Sequence, residues 1–180
     1  IIFIFLLICL LIIPDISFKI LYGFVGQDSG DNWIDTNIYV YSLLGKPLSI
    51  LLSIFGYNVV AEGSYIFFED LEAHIFRRVS VAESCSGITS IIVFSSLFIS
   101  YLYVNHNFSR ESMIIFSLGI IISYLANLLR MALIVLAGHY FGMEAFLFVH
   151  KYLGWIIFTT WMFIFWSLII RIYEKPEELI

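Results

Sequence analysis

Charge disappears from this chain in long blocks, and the blocks predict its elements. Residues 86–104 form a 19-residue run without a formal charge. Residues 112–143 carry Arg130 as their single charge, and 152–170 are again uncharged. At about 1.5 Å per residue, a 19-residue helix crosses a hydrocarbon core of roughly 30 Å. The pattern therefore predicts membrane helices over 86–104, 112–141 and 152–171. The middle one is long: 112–140 as one helix would run about 43 Å, so it must tilt, kink, emerge or fold as a re-entrant pair. Short polar stretches join these blocks, 105–111 with Arg110 and 144–151 with His150.

The N-terminal half is less regular. Residues 1–13 are apolar and stop at Pro14-Asp15. The chain starts at Ile1 without a methionine, so this short run is expected to be the end of a longer helix rather than a signal peptide. Residues 14–37 read as a loop with a short interfacial helix near 18–24. Gly45-Lys46-Pro47 interrupts the apolar run 38–56, and a lysine and a proline are costly at the centre of a span. An amphipathic helix at the interface is expected there. Over 58–81, β-branched and aromatic residues flank the turn Glu69-Asp70-Leu71-Glu72, which predicts a small β-hairpin. Arg77 and Arg78 on it read as solvated, or as facing an anionic headgroup.

Composition turns these segments into a class. Of 180 residues, 61% are hydrophobic and 13% charged, and the mean hydropathy is +0.98. A soluble domain carries about twice that charge. The expectation is one integral membrane domain over 1–180: an all-α helical bundle with an interfacial amphipathic helix and a small β-hairpin before Cys85. A net charge of −5 opposes nucleic acid, which needs a basic face. Two cysteines, Cys9 and Cys85, exclude a disulfide framework and a multi-cysteine metal site. No metal or cofactor is expected.

Cys85 lies in Glu83-Ser84-Cys85-Ser86-Gly87-Ile88, at the mouth of the first of the three C-terminal helices. A helix N-terminus favours thiolate over thiol, a setting suited to a reactive cysteine. A small residue closing a turn is the plainer reading. Arg130 within an apolar segment costs at least about 2.5–3.5 kcal/mol on insertion scales, so such a residue pairs or faces a polar cavity. It could also snorkel, or pair with Glu83. Asn127, one turn earlier, is close enough to orient its guanidinium. His150, followed by Gly154-Trp155, could exchange a proton near neutral pH, with His139 as the rival. Together, Cys, His and Arg form a coherent nucleophilic site: thiolate attack on a carbonyl, proton handling by imidazole, and oxyanion stabilisation by guanidinium. The three side chains are expected to share one wet cavity.

These blocks resemble the exosortase/archaeosortase family. Glu83-Ser84-Cys85-Ser86-Gly87-Ile88, Asn127-Leu128-Leu129-Arg130 and His150 look like its three motifs, over roughly residues 40–170. The resemblance implies a multi-pass cysteine transpeptidase of the cell membrane, with its active site on the extracytoplasmic side. It would recognise a C-terminal sorting signal on secreted proteins, cleave through an acyl-enzyme, and pass the protein to an acceptor, a lipid among the candidates. Cys85 would be the nucleophile, Arg130 the electrostatic stabiliser and His150 the acid–base residue, with Asn127, Glu83, Ser86 and Gly87 in support. Histidine at the third position suggests an exosortase-like rather than archaeosortase-like member.

Basic residues agree with that orientation. Segments 105–111 and 171–180 hold three Lys/Arg in 17 residues, whereas 14–84 and 142–151 hold five in 81. A metalloprotease would want a pattern such as His-Glu-x-x-His, which is absent from the sequence. The non-enzymatic alternative is a membrane scaffold or assembly factor, with Gly138-x-x-x-Gly142 packing helices closely.

Overall fold

Gly142 folds the apolar C-terminal half of the chain back on itself. The helix Arg110–Tyr173 breaks there, where Gly142 takes φ 72° and ψ −171°, a region essentially reserved for glycine. The two limbs are α3 (110–141) and α4 (143–173). Three contacts show that they run antiparallel: Gly138 lies against Phe146, Arg130 against Gly154, and Trp161 donates to Ser123. The partners stand 4, 12 and 19 residues from Gly142 on either side. At 1.5 Å per residue each limb runs about 46–48 Å, more than a hydrocarbon core needs. Arg110–Arg171 is long and apolar enough to cross a membrane, with a mean hydropathy of 2.1 in its most apolar window.

The computed structural model describes residues 41–63, 65–81, 85, 87–106 and 108–173, together with Ile4, Ile8 and Ile12 singly. The expectations for 1–13 as a whole, for 14–37 and for Glu83 and Ser86 fall outside the described residues. Within them, one correction concerns 144–151. This stretch was expected to be a connection and is instead the start of α4. It contains neither Gly nor Pro, and Gly142 alone makes the reversal, so nothing unwinds the following turns.

A π-helical turn, Tyr41–Gly45, leads into α1 (Lys46–Ile54), with Pro47 in the first turn. Proline is tolerated there because the first helical N–H groups have no intrahelical partner. Leu44, Leu48 and Leu52, four residues apart, bury one face of this segment.

The hairpin expected over 58–81 is a three-stranded antiparallel sheet, β1 (Val59–Glu62), β2 (Tyr65–Asp70) and β3 (Ile75–Ser80), in the order β1-β2-β3. The extra strand enters through Gly63, whose positive φ of 57° starts a tight turn before β2. Ile66, Phe68 and Asp70 alternate onto the buried face of β2. Ile66 and Phe68, together with Val59 and the α1 leucines, meet Met131, Ile134 and Val135 of α3 and Phe146 of α4.

Asp70 closes the β2–β3 turn. One oxygen accepts the Ala73 N–H and the other accepts Arg77 Nε, both at 3.0 Å. Arg78 lies over the Tyr65 ring, 4.7 Å from its centroid. Both arginines therefore have partners inside the sheet. The sheet is tied to the Gly142 end of α3: Leu71 donates its N–H to the His139 carbonyl (2.9 Å), and His139 Nδ1 bonds the Glu69 carbonyl.

The remaining helix, α2 (Ile88–Val104), lies antiparallel to α3 and parallel to α4. Its Phe94 ring packs against Gly119, and a cluster of Phe94, Phe98, Phe116, Trp161 and Phe165 fills the three-helix interior. Rings meet there in stacked and edge-on pairs, down to 4.8 Å between Phe94 and Phe165. This packing sets the register of α2 against α4, which decides what the residues before α2 can reach.

Candidate active site

Cys85 is buried three residues before α2, and its sulfur lies 3.7 Å from His150 Nε2. Sixty-five positions separate the two residues. A sulfur–nitrogen separation of this size lets a proton pass between them after small adjustment, and unliganded sites are often this loose.

The local backbone explains how a buried cysteine is aimed so. Gly87, at the entrance to α2, has φ 83°, a left-handed conformation that suits glycine. A Cβ there would also lie 2.6 Å from Asn127 Nδ2. Asn127 occupies that space and donates to the Cys85 carbonyl at 3.1 Å in a buried bond. The expectation that Asn127 orients Arg130 is replaced by a different bond: the amide holds the cysteine segment against α3.

His150 is held by stacking. Its ring lies parallel to Phe146, one turn earlier on α4, at 6.2 Å with 8° between planes. Phe146 in turn stacks on Phe68 of β2 at 5.8 Å. Gly138 makes room, since a Cβ there would stand 2.9 Å from the Phe68 ring. A three-ring stack thus runs from the sheet to the imidazole. His150 Nδ1 is buried with no hydrogen-bond partner among the described residues, so packing orients this ring. The rival His139 is engaged with the sheet through its own ring and carbonyl.

Arg130 reaches α4 one turn beyond His150. Its guanidinium lies over Gly154, where a Cβ would be 2.8 Å from Cζ. The Gly of His-x-x-x-Gly-Trp is thus explained by close approach. Arg130 is half-buried, its charge lies within electrostatic reach of the imidazole, and its Nε has no partner among the described residues.

The single wet cavity expected for all three residues is divided. Cys85 and His150 open on a cavity of about 180 Å³ with mainly apolar walls. Arg130 lines a separate void of about 20 Å³ with Ser90, Ser123 and Asn127. The reason is helical geometry. Neighbouring residues project about 100° apart, so Met131 and Arg130 face different spaces.

Gly138 and Gly142 face Phe68 and Glu72 of the sheet region, with Phe146 also against Gly138. Their small size serves the sheet contact and the reversal, and at Gly138 it also admits Phe146 of the facing helix. Among the described residues, no three His, Cys, Asp or Glu side chains cluster as metal ligands.

The sequence reading missed Phe68, Phe146, Met131 and Val135, which shape the site. Nothing in their local sequence separates them from other apolar residues.

The family described as "Transmembrane exosortase (Exosortase_EpsH)" matches residues 42–167. No curated protein and no solved structure matches the chain. The family match spans α1, the sheet, the Cys85 segment and nearly all of the helical hairpin. On that extent of agreement, the chain belongs to the transmembrane exosortase family.

Proposed function

We propose that this protein is a multi-pass membrane cysteine transpeptidase that cleaves the C-terminal sorting signal of secreted proteins and transfers them to an acceptor, a lipid among the candidates. The observation that carries this reading is the 3.7 Å approach of Cys85 Sγ to His150 Nε2 in a family of sorting transpeptidases. In the first step His150 Nε2 takes the thiol proton and the thiolate attacks the scissile carbonyl. Arg130, whose charge reaches the imidazole from the adjoining void, stabilises the developing oxyanion electrostatically. Collapse breaks the C–N bond, and His150 returns the proton to the departing amine. The acceptor then gives a proton to His150 and attacks the thioester, which releases the thiol and the joined product. Asn127 and Gly87 keep the nucleophile in place, and Glu83 and Ser86 flank it in sequence.

The site faces the extracytoplasmic side in this reading. Its support is that Arg171 and Arg110, the first residue of α3, lie at the end of the bundle away from Cys85, as the positive-inside rule would have it.

The test is Cys85→Ala and His150→Ala in cells, with precursor followed by immunoblot. Each should leave uncleaved precursor at unchanged expression. Normal processing in Cys85→Ala would overturn the assignment.

A further inference from the structure

The cavity beside Cys85 and His150 has a chemistry of its own. Its volume of about 180 Å³ is lined mainly by apolar side chains, among them Phe68, Val79, Met131, Val135, Met143 and Leu147. None of its lining residues carries a formal charge when His150 is neutral. We propose that this cavity is the subsite for an apolar substrate side chain, of leucine or phenylalanine size, on a residue flanking the bond that Cys85 attacks. The inference rests on the nucleophile assignment above and adds a substrate class to it.

Position, size and polarity support it separately. The cavity touches both members of the reacting pair, so a group seated in it lies next to the acyl carbon. An apolar cavity of about 150 Å³ accommodates benzene, so this one has room for an aromatic ring or a branched aliphatic chain. Phe68 and Val135, each 1% exposed, are deeply buried parts of its wall, and a volume of about 180 Å³ disfavours a long acyl chain. A charged side chain would lose its hydration here without gaining an ion-pair partner. The thioethers of Met131 and Met143 adapt to shape, so apolarity should matter more than one exact outline.

The test uses the full chain in detergent micelles and a series of N-substituted chloroacetamides: methyl, isobutyl, benzyl, carboxymethyl and dodecyl. Alkylation of Cys85 is timed by mass spectrometry. Isobutyl and benzyl reagents should react about tenfold or more faster than methyl and carboxymethyl reagents. That ratio should fall toward one in Val79→Phe, which fills the cavity from the strand, and benzyl should gain on isobutyl in Met131→Ala. A flat series in the unaltered chain, with Cys85 still readily alkylated, overturns the subsite and leaves the nucleophile standing. A rate that climbs through dodecyl and is unchanged in Val79→Phe assigns the preference to micelle partition and also overturns it. Failure of every reagent at Cys85 removes the nucleophile assignment and the subsite with it.

Discussion

Asn127→Leu removes a buried side-chain bond that holds the nucleophile segment. The native amide is 6% exposed and donates to the Cys85 carbonyl at 3.1 Å, across 42 positions of chain. Leucine keeps the volume and removes the donor, so the Cys85 carbonyl loses this bond in an enclosed setting. Losing a buried bond of this kind costs about 1–3 kcal/mol, partly relieved if the segment swings toward water. Swinging away is the functional loss. If the bond is what favours the aimed conformation, 1–3 kcal/mol lowers its population roughly 5–150-fold. The loss should appear in the chemical step more than in substrate binding. Two assays read it: the rate of Cys85 alkylation by iodoacetamide in the purified chain, and precursor conversion in cells at matched expression. Asn127→Asp should be at least as slow, because an ionised carboxylate cannot donate to a carbonyl. Ser117→Ala is the control, since that exposed hydroxyl bonds only within its own helix. If Asn127→Leu keeps both rates within about twofold of the unaltered chain, the bond does not govern the placement of Cys85.

Three further substitutions test the scaffold. Gly142→Ala forces a side chain into a glycine-only backbone region beside Glu72, and about 1–3 kcal/mol of strain should lower the thermal midpoint in detergent; an unchanged midpoint would refute the hairpin geometry. Phe68→Ala removes the base of the ring stack and should cost about 3–5 kcal/mol in denaturant unfolding, with slowed processing even where the protein remains folded; full activity would show that the stack does not orient His150. The Ala73 N–H, helped by Arg77, holds the Asp70 carboxyl below its ordinary value despite burial. Its native form therefore binds fewer protons than the unfolded chain, and the stabilisation is present above the unfolded pKa of about 3.9 and lost as pH falls through the lower folded value. Hydrogen exchange in the β2–β3 turn should accelerate with acid in that window, and Asp70→Asn should flatten the dependence; equal acid sensitivity in both proteins would refute it.

The local pattern already marked where helices run and where a cysteine meets the start of one, because both follow from uncharged length and from the residues at a helix boundary. It also isolated Arg130, since one permanent charge in an apolar segment needs a reason wherever the chain folds. Other features depended on distant partners. His150 was expected in a connection because polar residues cluster around it, yet a single glycine eight positions earlier made the turn and left that stretch helical. Gly63 was read past, and with it the first strand of the sheet. Which space Arg130 faces, which carbonyl Asn127 reaches and which rings carry His150 are set by the rotation of helices against one another and against the sheet. Periodicity records that a residue has a face, but the direction of that face is set only when three helices and a sheet pack at fixed angles. That packing divided the expected single cavity into an apolar space at the thiol and a small void of mixed lining at the guanidinium.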